Sequence, residues 1–121
     1  MSALGDSQCV VEDVNGFHHL GARSPEQFGN LTVGLGTPHH MDAWQVHDFR
    51  TTGQLRVLIL SDGIADDVSV EKFPELFRWL GGFEGRPASA RGQALRRALR
   101  SWPVPGHCDD KTLVYLHLGG R

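Results

Sequence analysis

Leu55-Arg56-Val57-Leu58-Ile59-Leu60-Ser61-Asp62-Gly63-Ile64-Ala65-Asp66 is the stretch that decides the fold. Four uninterrupted apolar residues at 57–60 suit a strand covered on both faces, and an acidic Ser-Asp-Gly turn ends it. Downstream, Ser69 is a capping residue and Pro74 fits a first helical turn. Phe73, Leu76, Phe77 and Leu80 form one apolar stripe that stops at Gly81-Gly82. This predicts a helix with a 3₁₀ start. A second helix is predicted over 88–102, with Ala94, Leu95, Ala98, Leu99 and Trp102 on one face, ended by Pro103 and Pro105. Arg91, Arg96, Arg97 and Arg100 fall largely on its other faces and read as a solvated basic surface, with contact to phosphate or a phosphoprotein as the alternative. The chain then closes with a β-prone run at 112–118, entered from Cys108-Asp109-Asp110-Lys111-Thr112.

Upstream, the β-prone runs 8–14 and 17–20 flank Asn15-Gly16 and predict a hairpin with a type I′ turn, because both residues tolerate positive φ. A loop or short helical turn is expected at 24–28, a strand at 31–35 and a break at 36–38. The alternation at 44–49 reads as a half-buried strand. The first half is therefore sheet, and the pattern as a whole is α+β.

The chain has 121 residues, a single-domain length, and one modest core is within its reach. With 40% hydrophobic and 21% charged residues it is composed like a folded soluble protein rather than a disordered one. A net charge of -2 gives no global attraction to nucleic acid or anionic lipid, and neither is expected as a partner. No apolar run approaches the roughly 20 residues of a membrane helix. Cys9 and Cys108 are too few and too far apart for a disulfide framework, which favours a reducing, cytoplasmic setting. His18-His19 and His39-His40 are doublets, but neighbours on a strand point to opposite faces and chelate poorly together.

Two acidic loops sit at strand ends, Ser61-Asp62-Gly63-Ile64-Ala65-Asp66 and Cys108-Asp109-Asp110-Lys111-Thr112. If their strands are neighbours, Asp62, Asp66 and Asp109 converge. Carboxylates about 4 Å apart repel by roughly 4 kcal/mol at an effective dielectric near 20, so such a group must take up protons or hold a cation. Oxygen-only donors suit Mg²⁺ or Mn²⁺ rather than tetrahedral zinc. Read singly, Asp62-Gly63 is a turn dipeptide and Asp66 an acid near the N-terminus of the following helix.

The order of these pieces resembles the PP2C-type, or PPM, metal-dependent serine/threonine protein phosphatases, in their bacterial branch. Gly5-Asp6-Ser7 looks like that family's Gly-Asp-Ser strand motif, and Phe28-Gly29-Asn30-Leu31-Thr32 is similar to its Phe-Ala-Asn-Glu-Thr stretch. Ser61-Asp62-Gly63-Ile64-Ala65-Asp66 matches its Ser-Asp-Gly-x-x-Asp motif, and Asp109-Asp110-Lys111-Thr112 its closing Asp-Asp/Asn-x-Thr motif.

The resemblance implies a layered α-β-β-α sandwich, here in an incomplete version with antiparallel strands and two C-terminal helices. It also implies Mg²⁺ or Mn²⁺ at one end of the sandwich, with Asp62 and Asp109 on a core ion and Asp66 and Asp6 on a more labile one. The implied reaction is hydrolysis of phosphoserine and phosphothreonine in proteins by metal-activated water, with no protein nucleophile. The family's Glu-Asp pair, Asp-Gly-x-Gly motif and phosphate-binding Arg have no counterpart in these residues. Residues 1–121 are accordingly read as one partial domain, the C-terminal half, not expected to be active alone, with a phosphoprotein substrate or a complementing N-terminal half as its partner. The alternative is a non-catalytic interaction module derived from such a domain.

Overall fold

The computed structural model describes residues 2–3, 7–21, 45–49, 53–102, 104, 106 and 108–119. The expectations for 24–28, 31–35 and 36–38, and those for Asp6, Trp44 and the doublet at 39–40, lie outside these residues.

Among the described residues, four strands make one antiparallel sheet. They are β2 (Gln8–Asp13), β3 (Gly16–Leu20), β5 (Leu55–Leu60) and β6 (Leu113–Leu118), in the order β3-β2-β5-β6. A separate two-stranded pair joins β1 (Ser2–Ala3) to β4 (Gln45–Val46). The half-buried strand expected at 44–49 is thus short: among its described residues only Gln45 and Val46 are strand, and Val46, His47 and Asp48 are exposed.

The hairpin forms as expected, but its turn does not. Asp13 faces Gly16 in register, so Val14 and Asn15 are the two turn residues, and no non-glycine residue among those described has positive φ. Gly16 itself takes φ +124°, a conformation that L side chains rarely adopt. The Asn15 N–H donates to Asp13 Oδ1 at 2.7 Å, an Asx turn that fixes the corner one residue early.

The register sorts the sheet into two faces, because residues directly opposite in antiparallel strands project to the same side. The row His19–Val10–Leu58–Tyr115 lies on one face, and the rows Leu20–Cys9–Ile59–Val114 and His18–Val11–Val57–Leu116 on the other. The first face carries the helices. After β5 come α1 (Asp62–Ala65), a 3₁₀ turn (Val70–Lys72), α2 (Phe73–Gly81) and α3 (Ala88–Arg100). The apolar stripe of α2 buries Phe73, Phe77 and Leu80 against Val10, Leu58, Leu60 and Ile64. Complete burial of each such side chain stabilises by about 1.5–3 kcal/mol. The Phe77 ring meets Phe17 edge-on at 5.3 Å and Tyr115 at 6.1 Å. Ala94, Leu95, Ala98 and Leu99 of α3 are half-buried, while Arg91, Arg96, Arg97 and Arg100 are exposed.

The second face is covered unevenly. Cys9, Val11, Leu20 and Val57 are buried there with Phe49 and Leu55 packed against them, whereas Ile59, Val114, Leu116 and Leu118 are exposed. The expectation that β5 is covered on both faces therefore holds for Val57, Leu58 and Leu60 and fails at Ile59. No helix among the described residues is long and apolar enough to cross a membrane.

Candidate functional site

The two acidic loops are neighbours because β5 and β6 are. Leu60 pairs with Leu113, so the chain leaves β5 into Ser61 where it enters β6 from Thr112. Three hydrogen bonds fasten the loops at that corner. The Ser61 N–H donates to the Thr112 carbonyl at 3.0 Å, the Ser61 hydroxyl to the Asp110 carbonyl at 3.1 Å, and the Thr112 N–H to Ser61 Oγ at 3.0 Å. Ser61 thus acts as both donor and acceptor across the gap, which explains a small hydroxyl residue before Asp62.

Gly63 closes the contact. A Cβ at that position would collide with the Asp110 carbonyl oxygen and lie 3.1 Å from Asp109 Cβ. Only a residue without a side chain lets the Asp62-Gly63 backbone sit directly on Asp109 and Asp110. Sequence reasoning treated Gly63 as a turn residue; its close approach to the second loop needed the pairing of β5 with β6 to become visible.

Asp62 is the first residue of α1 and half-buried, and its Oδ1 accepts the Gly63 N–H at 2.7 Å. Asp109 is exposed in the facing loop. Asp66 is the C-cap of α1 and exposed, with its N–H donating to the Asp62 carbonyl at 2.9 Å. It lies past the end of α1 and just ahead of the 3₁₀ turn Val70–Lys72 that opens the following helix, so the alternative reading of an acid near that helix's N-terminus stays open. Asp6 lies outside the described residues.

The chemistry of the donors fits a hard divalent ion, since Asp62 and Asp109 offer carboxylate oxygens only. The cradle at Gly63 sets their loops in direct backbone contact. Among the described residues, no group of three or more His, Cys, Asp or Glu side chains is placed to hold a metal. The histidines behave as the strand geometry requires: His19 turns to Phe73 on the helix face, with its pKa lowered by burial, while His18 pairs with Asp13 on the other. Cys9 is buried, which raises the pKa of its thiol, and neither Cys9 nor Cys108 forms a disulfide.

The loop after α1 is tied to the end of α3. The Asp67 N–H donates to the Ile64 carbonyl at 3.0 Å, and the Trp102 indole N–H donates to Asp67 Oδ2 at 2.7 Å. The C-terminal turn of α3 is thereby set beside the loop that carries Asp62 and Asp66.

Comparison with curated proteins and with solved structures gives no match. A family model described as protein phosphatase 2C matches residues 1–101, which include Asp62, Gly63 and Asp66 and stop short of Asp109. That match spans most of the 121 residues, and the chain belongs to the protein phosphatase 2C family.

Proposed function

We propose that this chain supplies one part of the active site of a metal-dependent phosphatase acting on phosphoserine and phosphothreonine in proteins, in a reducing, cytoplasmic setting. The observation that carries the reading is the clamp between Ser61-Asp62-Gly63 and Asp109-Asp110-Lys111-Thr112, which couples two carboxylate-bearing loops through Ser61 and Gly63. Family membership adds Mg²⁺ or Mn²⁺ as the expected cofactor. Asp62 and Asp109 would hold a core ion, and Asp66 and Asp6 a more labile one. A bound ion of this kind lowers the pKa of its water and offsets charge on phosphoryl oxygens. Two carboxylates hold Mg²⁺ weakly, because that ion gives up its waters reluctantly, so the reading includes a complementing half that brings further oxygen donors.

Calorimetric titration with Mn²⁺, with and without an N-terminal half from a family member, tests this. Asp62→Asn and Asp109→Asn are each expected to weaken Mn²⁺ binding, and release of phosphate from a phosphothreonine peptide is expected only in the complemented protein. Mn²⁺ affinity unchanged in both variants would overturn the assignment.

The second reading is a non-catalytic interaction module. Its support is the exposure of Ile59, Val114, Leu116 and Leu118 on one face of β5 and β6, a surface suited to packing against another β-sheet.

A further inference from the structure

Arg96, Arg97 and Arg100 crowd three guanidinium groups into little more than one turn of α3. All three are exposed, and with Gln93 and Ser101 they line a shallow cavity of about 450 Å³. The helix Ala88–Arg100 contains no acidic residue, and none of the three arginines forms an ion pair with a described residue. Like charges at this spacing repel. The helix dipole favours Arg97 and Arg100 in the last turn, but it supplies no counter-charge to a concavity that three guanidiniums share. The Trp102–Asp67 hydrogen bond holds this end of the helix beside the loop that begins at Asp62.

We infer that the arginine face of α3 is a docking subsite for an acidic or additionally phosphorylated peptide segment that flanks the phosphoserine or phosphothreonine of a protein substrate. The inference rests on the phosphatase reading for what lies at the neighbouring loops. Guanidinium groups match carboxylate and phosphate in shape as well as charge. From Arg96 to Arg100 the helix rises about 6 Å, room for one or two anionic groups rather than the 6–10 phosphates that a DNA-binding surface typically engages. A lipid surface is disfavoured because the apolar side of α3, with Leu95 and Leu99, packs against the protein core.

Fluorescence anisotropy with a labelled peptide of Asp and Glu around one phosphothreonine, in buffer containing EDTA, tests the subsite without involving a metal. Saturable binding that weakens with added salt is expected. Arg96→Gln/Arg97→Gln/Arg100→Gln should weaken it by about tenfold or more, equivalent to about 1.4 kcal/mol, with circular dichroism unchanged because the side chains are exposed. Equal affinity in the triple variant would overturn the inference. So would equally tight binding of a single-stranded DNA oligonucleotide of the same charge. The Mn²⁺ titration of the Asp62 and Asp109 variants does not involve these arginines, so failure of the subsite and failure of the phosphatase reading are separable.

Discussion

At the scale of single residues, Gly63 decides whether the two acidic loops can touch. Its missing side chain leaves room for the Asp110 carbonyl, and backbone on both sides of the contact gives little ground. Gly63→Ala should therefore lower stability by about 1–3 kcal/mol in urea denaturation, as overpacking of a tight site does. It should also weaken Mn²⁺ binding by separating Asp62 from Asp109. Gly92 is the control. It sits within α3 with nothing within 4 Å of an added Cβ, so Gly92→Ala should stabilise by about 0.5–1 kcal/mol through helix propensity alone. Equal losses in the two variants would show that Gly63 is no special contact. The sequence made Asp62-Gly63 legible as a turn beside a carboxylate, and Asp109 legible as a second acidic corner. That Gly63 packs on Asp110 was not legible, because the contact joins residues 47 apart and depends on β6 lying beside β5.

At the scale of elements, one carboxylate pins the segment after α2 to the last strand. Glu84 accepts a hydrogen bond from the Tyr115 hydroxyl at 2.6 Å through Oε1 and meets His117 Nδ1 at 2.8 Å through Oε2. Burial, together with the Glu84 carboxylate, pushes the Tyr115 pKa up from 10.0 to about 12. Tyr115 is the chain's single tyrosine, so tyrosinate absorbance reads it directly. The expected midpoint is near 12, and Glu84→Gln should lower it toward 10 without reaching it, because burial is the larger cause. The raised pKa means that the neutral hydroxyl's stabilisation is fully present below pH 10 and is lost as pH rises through about 12. At acid pH the same pin weakens for a different reason. The Tyr115 hydrogen bond holds Glu84 below its ordinary 4.5, so its contribution, present above 4.5, is lost as pH falls through that lowered pKa. A titration midpoint at 10 in the wild type would show that the pin does not form. The helix before this pin and the strand beside β6 were legible from their pattern, since Phe73, Phe77 and Leu80 repeat at helical spacing and 57–60 is apolar throughout. The hairpin corner was misread, because Asp13 captures the Asn15 N–H and moves the turn to Val14-Asn15. Alternation at 44–49 overstated β4, since among the described residues only Gln45 and Val46 pair with β1 and 47–49 are not strand.

At the scale of the whole molecule, the described residues pack helices over one face of the sheet and cover the other only in part. The row Leu20–Cys9–Ile59–Val114 runs from 1% and 6% exposed to 38% and 43%, so exposure on the second face rises across the described strands from β3 to β6. Leu116 and Leu118 extend the same open strip along β6, one of the two edge strands of the four-stranded sheet among the described residues. Apolar side chains left in a contiguous strip on a sheet mark a surface that packs against another layer. On the function proposed above, the occupant would be the second β-sheet of a complementing phosphatase half, which would also bring further oxygen donors to Asp62 and Asp109. Sedimentation velocity of the chain mixed with such a half should show a complex, and Val114→Lys/Leu116→Lys should abolish it. Both positions are exposed in the isolated chain, so the variant should keep its own stability to within about 0.5 kcal/mol. A complex that survives the two lysines would place the interface elsewhere. Self-association of the chain through the same strip, as tight as the mixed complex, would make a second copy the occupant and leave the donor shell at Asp62 and Asp109 uncompleted.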